Sequence, residues 1–158
     1  LEQAANEARR IMENLRPSVL DSFGLRSALE DSLRRAAEYS EPPLLPRLHI
    51  EVTEAELDRL CEEEQLALYR IVQEALTNAS RHAHATTLTL RMCRSGDELL
   101  VQVIDDGVCL PETGAGARAR GMENMRFRAR LIRAALEWRV NQARGGTTVE
   151  LRLGLHGE

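Results

Sequence analysis

The hydrophobic period of this chain changes near residues 41–46, and that change constrains the fold more than any other feature. Residues 41–46 read EPPLLP, a rigid linker that can be neither a helix nor a central strand. Before the linker, apolar residues recur at helical spacing. After it, helical segments are interleaved with segments that alternate apolar and polar residues, as half-buried strands do. The alternating segments read RLHIEV, TLTLRM, ELLVQVIDDG, LEWRV and TTVELRL.

Two turns between these segments predict antiparallel hairpins. SGD at residues 95–97 separates TLTLRM from ELLVQVIDDG, and NQARGG at residues 141–146 leads into TTVELRL. Helices interleaved with hairpins predict an α+β fold. We expect a two-layer α/β sandwich, with a mixed, mostly antiparallel sheet and helices on one face, preceded by an N-terminal helical segment.

The N-terminal region carries two predicted helices. Residues 1–15 place apolar side chains at heptad-like spacing, which is typical of a coiled coil or bundle and also of an ordinary packing helix. Pro17 ends that helix. A second helix is predicted over Leu25 to Glu38, with Asp21 or Ser22 as its cap.

Composition excludes several classes of function. The net charge of −4 gives no indication of the basic surface that nucleic-acid binding requires. No apolar run approaches the roughly 20 residues of a membrane span. Three cysteines without a C-x-x-C motif favour a reducing compartment over a disulfide framework or a zinc site. All 21 basic residues are arginine, which excludes the lysine of a P-loop. The chain begins at Leu1 without a signal peptide, so we expect it to be a piece of a longer protein.

The helix predicted over about Glu62 to His82 has a polar ridge beside its apolar stripe. Glu74, Asn78 and His82 follow one another at intervals of four residues, so they lie on one side of the helix. A carboxylate and an amide one turn apart suit Mg²⁺, which prefers oxygen ligands. The alternative is that these side chains are merely solvated at the border of the stripe.

Three further patterns follow along the chain. Asp105 ends a strand and is followed by Gly107, as in a common turn. A polar, glycine-rich stretch over Pro111 to Arg120, too loose for regular structure, leads into a helix predicted over Gly121 to Arg133. Backbone amides at a helix start can hold phosphate, although a solvated basic loop has the same composition. Gly146 and Thr147 open the last strand, where a hairpin turn is also expected.

The order of these patterns resembles the N, G1, G2 and G3 boxes of the GHKL ATPase family, which includes gyrase, Hsp90, MutL and histidine kinases. EALTNASRHA resembles the N box of histidine kinases, and GMENMRFRA is similar to a helix of sensor kinases that signal to response regulators with helix-turn-helix outputs. LRPSVLDSFGLRSAL resembles the segment after the phosphoacceptor helix in that same, nitrate-sensor-like subfamily. The resemblance spans nearly the whole chain. It implies that residues 1–40 end a dimerisation and phosphoacceptor region, and that residues 41–158 form the catalytic domain.

The resemblance implies ATP and Mg²⁺ as ligands and assigns roles at the phosphate end of the site. Asn78 would ligate the Mg²⁺ that bridges the triphosphate. Glu74 would act as the base at the attacking nucleophile or assist it. Arg81 and His82 would lie near the phosphates, and the amide of Gly121 would face one of them.

At the adenine end, Asp105 would accept a hydrogen bond from the exocyclic amine, and Gly107 would leave room for the edge of the base. Thr147 would support the pocket near Asp105, and Met122 would also contact the nucleotide. Residues 111–120 would form a mobile lid over the ATP.

The resemblance also implies partners that lie outside this chain. None of its four histidines stands in the motif of a phosphoacceptor, so we expect the chain to bind ATP without phosphorylating itself. The full protein would be a dimeric sensor kinase, often anchored in the inner membrane. It would pass the phosphoryl group to a response regulator with a helix-turn-helix output. The present piece would be cytoplasmic, would not insert into a membrane and would make no direct contact with nucleic acid.

Some positions depart from the family pattern. Cys109 replaces the second glycine of the D-x-G-x-G box, Asn124 replaces a glycine that many relatives have, and Arg133 and Ala134 replace a Gly-Gly pair. Two alternatives therefore remain open. One is a degenerate GHKL module that docks a partner without turning over nucleotide. The other is an anti-sigma-factor serine kinase, although those proteins lack the Leu-Arg-Pro segment.

Overall fold

The computed structural model describes residues 2–4, 16–108 and 116–156. Nine helices and strands lie within the described part from residue 16 onward. In chain order they are α1 (Ser18–Glu38), β1 (Leu45–Ile50), α2 (Glu54–Leu57), α3 (Glu62–His82), β2 (Thr87–Ser95), β3 (Glu98–Asp105), α4 (Ala117–Leu131), β4 (Ala135–Val140) and β5 (Thr147–Gly154).

The strands form a five-stranded sheet in the order β1-β2-β3-β5-β4. The β1–β2 pair is parallel, and the other three pairs are antiparallel. Both predicted hairpins, β2–β3 and β4–β5, are present, and the predicted mixed sheet is confirmed. As predicted, EPPLLP is neither a helix nor a central strand, but the linker is shorter than expected, because the edge strand β1 begins at Leu45 and contains Pro46. An edge strand tolerates proline, since one side of it has no neighbour to receive an N–H group.

One face of the sheet and the helices enclose a single hydrophobic core. Alternate residues of the central strands point into it, such as Leu90 of β2, Val101 of β3 and Leu151 of β5. The helices contribute their apolar stripes, with Leu29 of α1 and Leu68 of α3 fully buried. Because α1 shares this core, it is part of the same packed unit as the sheet. Among the described residues, no helix is both long and apolar enough to cross a membrane.

The opposite face of the sheet carries a charged network that the sequence did not suggest. Glu150 of β5 is only 2% exposed, although it lies on this polar face. Gln102 donates to it at 2.7 Å, and Arg139 and Arg152 each donate at 3.0 Å. Burial acts to raise the pKa of Glu150, but these hydrogen bonds and positive charges outweigh it and lower the pKa. The network therefore links β3, β5 and β4 across their open face.

Element boundaries differ from the predictions at several points. Helix α3 matches its predicted range, whereas α4 begins at Ala117, four residues before Gly121. Helix α1 begins at Ser18 and is broken at Gly24, whose φ of 80° is not helical, so the part after the break matches the predicted range from Leu25 to Glu38. Asp21 accepts a hydrogen bond from Arg16 at 2.5 Å instead of capping the next helix. The heptad-like segment lies mostly outside the described residues, and so do Cys109 and residues 111–115, the first half of the predicted lid.

Candidate nucleotide-binding site

A pocket lies between α3, the start of α4 and the ends of strands β3 and β5. With its open mouth included, the cleft spans about 400 Å³. Five residues that the sequence analysis singled out line it together: Asn78, His82, Asp105, Met122 and Thr147. The structure also places in its wall Arg118, which lies in the predicted lid, and six residues that were not predicted: Ala75, Ala79, Ala83, Val108, Trp138 and Val149.

Helix α3 positions the polar ridge because its apolar stripe is buried in the core. Ile71, Ala75 and Ala79 are almost fully buried, which orients the flank of the helix toward the pocket. Asn78 and His82 lie one turn apart on that flank and are half-buried. Within the described part of the chain, the Asn78 side chain has no hydrogen-bond partner. Its amide oxygen is therefore available to a ligand.

Asp105 lies at the end of β3 and is 8% exposed. The backbone N–H of Gly107 donates to its Oδ1 at 3.0 Å, and the backbone of Thr147 donates to the same carboxylate. Burial raises the pKa of Asp105 above its ordinary value, although these hydrogen bonds act in the opposite direction. A buried carboxylate that is oriented by the backbone can accept a hydrogen bond from the amino group of a ligand.

The adjacent carboxylate, Asp106, has a structural role. The backbone N–H groups of Thr86 and Thr87 donate to it at 2.8 and 2.9 Å, and the Thr86 hydroxyl donates at 2.5 Å. Burial acts to raise the pKa of Asp106, but these hydrogen bonds outweigh it and hold the pKa well below its usual range. Asp106 therefore joins the end of β3 to the start of β2, while Asp105 lines the pocket.

Two glycines allow the backbone segments around Asp105 to approach each other. A Cβ atom at Gly107 would lie 1.9 Å from the carbonyl oxygen of Ala83, at the end of α3. A Cβ atom at Gly146 would lie 2.0 Å from the carbonyl oxygen of Asp105, and Gly146 also has a φ of +94°. The N–H of Val108 donates to the same Ala83 carbonyl at 2.6 Å. Close backbone packing therefore explains both glycines before any ligand is considered.

Gly121 has a different position from the one predicted. Because α4 begins at Ala117, only its first turn has amides without a partner inside the helix, and Gly121 comes after that turn. The prediction that its amide faces phosphate does not fit this arrangement. Instead, Gly121 packs against α3, where a Cβ atom would lie 2.0 Å from Oε1 of Glu74. Glu74 lines a neighbouring pocket under α4, together with Met125 and Arg128.

Arg81 also has a different position from the one predicted. It lines the groove between α1 and α3, together with residues such as Asp31 and Tyr39, and not the pocket of Asp105. The reason is helical geometry. His82 lies about 40° from Asn78 around the helix axis, whereas Arg81 lies about 60° away on the other side. Asn78 and His82 therefore face the pocket, while Arg81 faces α1.

Comparison with known proteins identifies the family to which this chain belongs. Residues 63–157 match the family model described as histidine kinase-, DNA gyrase B- and HSP90-like ATPase. The sensor histidine kinase MctS of Rhizobium johnstonii is 34% identical over 155 residues, spanning 94% of this chain and 32% of that protein. The histidine-protein kinase/phosphatase UhpB of Salmonella typhimurium is 31% identical over 128 residues, spanning 81% of this chain and 25% of that protein. The chain thus spans about a third or less of these two relatives.

Solved structures show the same fold. The blue-light activated histidine kinase EL346 of Erythrobacter litoralis superposes with a TM-score of 0.64 at 23% identity, covering 84% of this chain and 44% of that one. The predicted resemblance to GHKL ATPases is confirmed by the family match, which covers more than half of the chain. The chain belongs to the histidine kinase-, DNA gyrase B- and HSP90-like ATPase family, and it contains an ATP-binding domain of the sensor histidine kinase type.

Proposed function

We propose that the chain binds ATP with Mg²⁺ in the pocket of Asp105 and Asn78, and that it delivers the γ-phosphate to a histidine elsewhere in a longer protein. The observation that carries this proposal is that both side chains line one pocket, although 27 positions separate them in the sequence. Because the chain spans only part of its relatives, kinase activity of the whole protein belongs to the proposal.

Asp105 is the proposed adenine-recognition residue. Its buried carboxylate accepts the hydrogen bond of the exocyclic amine, and the amides of Gly107 and Thr147 hold it in place. Guanine carries a carbonyl oxygen at that position, so an acceptor would face an acceptor. A hydrogen bond to a charged group contributes about 1.5–3 kcal/mol, which is enough for a clear preference for ATP.

Asn78 is the proposed ligand of Mg²⁺. No three carboxylate, histidine or cysteine side chains within the described residues converge on a metal site. A site of that kind is not required, because Mg²⁺ keeps several waters and binds mainly to the phosphates of its nucleotide. One unpartnered amide oxygen at the pocket wall fits that coordination. The metal would neutralise charge on the triphosphate during phosphoryl transfer.

We expect Asn78→Ala to lower the affinity for ATP by about 10-fold in the presence of Mg²⁺, since a metal ligand is lost. In EDTA the variant and the wild type should bind ATP with similar affinity. Alanine is the best helix former, so α3 should remain intact. Calorimetric titration measures both affinities. Ser80→Ala is the matched control, because Ser80 lies in the same helix but lines the groove toward α1. An equal loss with and without Mg²⁺ would contradict the metal role.

Glu74 is the proposed base, or its assistant, at the attacking nucleophile. It lies one turn before Asn78, and its carboxylate lies against Gly121 in the second turn of α4. The position of α4 therefore controls where this carboxylate can point. A general base typically contributes about 10²–10⁴-fold to a rate, so a displaced carboxylate should be costly for catalysis.

Gly121→Ala tests this role. The new Cβ should displace the Glu74 carboxylate, and we expect phosphotransfer in the longer protein to fall by at least about 10-fold. The thermal midpoint should not fall, because replacing glycine by alanine in a helix gains about 1 kcal/mol and the displaced group is the flexible end of a side chain. Glu123→Ala, at an exposed position of the same helix, is the control. Wild-type phosphotransfer in Gly121→Ala would show that the contact has no catalytic part.

The proposed partners are the dimerisation and phosphoacceptor helices of the same protein and a response regulator with a helix-turn-helix output. In this division, residues 41–158 carry the catalytic site and residues 1–40 connect it to the phosphoacceptor helices. The catalytic piece would work in the cytoplasm, whereas the whole protein would be a homodimer that a membrane segment can anchor.

Incubation of the 158-residue chain with radiolabelled ATP and Mg²⁺ should leave the chain unlabelled, because no histidine in it stands in a phosphoacceptor motif. Adding a separate polypeptide that carries the upstream histidine motif should produce acid-labile label on that polypeptide. The control is the same mixture with Asn78→Ala. A stable phosphohistidine on the chain itself would contradict the proposal.

A further inference from the structure

We propose that the indole ring of Trp138 forms the wall against which the base of a bound adenine nucleotide packs, and that Arg126 holds this ring in position. The inference rests on the proposed nucleotide site and adds a recognition residue to it. Trp138 lies in β4 and lines the same pocket as Asp105 and Thr147.

The exposure of Trp138 distinguishes it from an ordinary core residue. The leucines at the centre of the core, such as Leu29 and Leu68, are 0% exposed. Trp138 is only half-buried, and it packs at the edge of the core, where the pocket opens. It is the only tryptophan of the chain, and no phenylalanine or tyrosine is among the described residues that line the pocket. A large planar side chain at this place offers the pocket an aromatic surface.

Arg126 restricts the orientation of that ring. Its guanidinium carbon lies 4.8 Å from the centroid of the Trp138 ring, which is within the range of a cation–π contact. Arg126 belongs to α4, whereas Trp138 belongs to β4, so the contact joins the helix to the edge of the sheet. A guanidinium on one face leaves the opposite face and the ring edge for other contacts. We therefore regard Arg126 as a positioning residue.

The chemistry of the pocket matches a purine. Its wall contains polar side chains, such as Asp105 and Thr147, and apolar ones, such as Trp138, Val149 and Met122. A purine has hydrogen-bonding groups along its edge and apolar faces. Asp105 can select the edge, but a carboxylate offers no surface to the faces. Packing of a base on an aromatic ring is tolerant of base identity, so Trp138 would add affinity while Asp105 provides the selection.

Intrinsic fluorescence reports on the proposed contact directly, because Trp138 is the only source of tryptophan emission in this chain. We expect Mg-ATP and ADP each to change the emission in a saturable way, with midpoints equal to the calorimetric dissociation constants. Trp138→Leu should weaken ATP and ADP binding equally, by about 10-fold or 1.4 kcal/mol, because the base is common to both ligands. Trp138→Phe should recover most of the affinity.

Arg126→Gln tests the positioning role. Without nucleotide, we expect its emission maximum to be shifted from that of the wild type. Its affinity for both ATP and ADP should fall by about 3-fold, which is less than the tenfold change that corresponds to about 1.4 kcal/mol. Arg130→Gln, one turn further along α4 and exposed, is the matched control and should behave as wild type. Wild-type emission and affinity in Arg126→Gln would overturn the role of Arg126.

The outcomes separate this inference from the function on which it rests. If the wild type binds ATP by calorimetry but its emission does not change and Trp138→Leu binds normally, the inference is overturned and the proposed function stands. A loss for ATP but not for ADP would also overturn it, since the ring would then serve the phosphates. If no adenine nucleotide binds the wild type, both are overturned. Should Trp138→Leu fail to fold by circular dichroism, the wild-type emission titration decides.

Discussion

Asp105→Asn is expected to weaken ATP binding by about 30- to 150-fold, the equivalent of about 2–3 kcal/mol. The substitution removes the charge that strengthens the hydrogen bond to the adenine amine but keeps an oxygen of the same shape. That oxygen can still accept from the amides of Gly107 and Thr147, so the turn after β3 should survive. Calorimetric titration with ATP measures the loss, and the thermal midpoint checks the fold.

The same variant should change nucleotide selectivity. An amide can donate a hydrogen bond to the carbonyl oxygen of guanine, which a carboxylate cannot do. We therefore expect the ratio of the ATP and GTP affinities to move toward one. Asp97→Asn is the matched control, because Asp97 lies at the other end of β3 and is exposed. Unchanged ATP affinity in Asp105→Asn would show that this carboxylate does not read the base.

Gly107→Ala is expected to destabilise the fold by about 3 kcal/mol, because a Cβ atom would lie 1.9 Å from the carbonyl oxygen of Ala83. That oxygen is a backbone atom at the end of α3 and also accepts from Val108, so it cannot move without breaking a second contact. For a chain of this size, the loss corresponds to a fall of about 10 °C in the thermal midpoint. Differential scanning calorimetry measures it.

The best control for this effect is Gly154→Ala. Gly154 is also at the end of a strand, but a Cβ atom there would have no neighbour within 4 Å, so little change is expected. In Gly107→Ala, the affinity for ATP should fall together with the free energy of unfolding, because the same backbone segment carries Asp105. A midpoint equal to that of the wild type would show that the α3 end and the β3 turn are not packed as described.

Much of the site could be predicted because its signals are local. Helix α3 was predicted over its full range, since its apolar stripe recurs at helical spacing for five turns and three acidic residues begin it. Asn78 and His82 follow from that stripe, because a helix that buries one face must expose its flank at a fixed angle. Asp105 was found for a similar reason, as an acid that ends an alternating strand just before glycine.

Other features required the tertiary structure because they depend on residues that are far apart in the chain. The sequence indicated that Gly107 follows the acid at the end of a strand and that Gly121 lies near the start of a helix. Only the packing showed that the carbonyl oxygen of Ala83 leaves no room for a side chain at residue 107, and that the carboxylate of Glu74 occupies that space at residue 121. The loop before α4 was predicted to continue to Gly121, because its polar composition gives no sign of a helix. The helix in fact starts at Ala117.

The strands, the main helices, the two hairpins and the residue types that a nucleotide site needs therefore follow from the amino-acid sequence, because each depends on a short-range period, turn or cap. Only tertiary packing brings some of those residues into one pocket. It turned Arg81 toward α1, buried Glu150 among two arginines and a glutamine, and brought Trp138 to face the pocket of Asp105. Those outcomes depend on how helices cross a sheet, and no local pattern encodes that crossing.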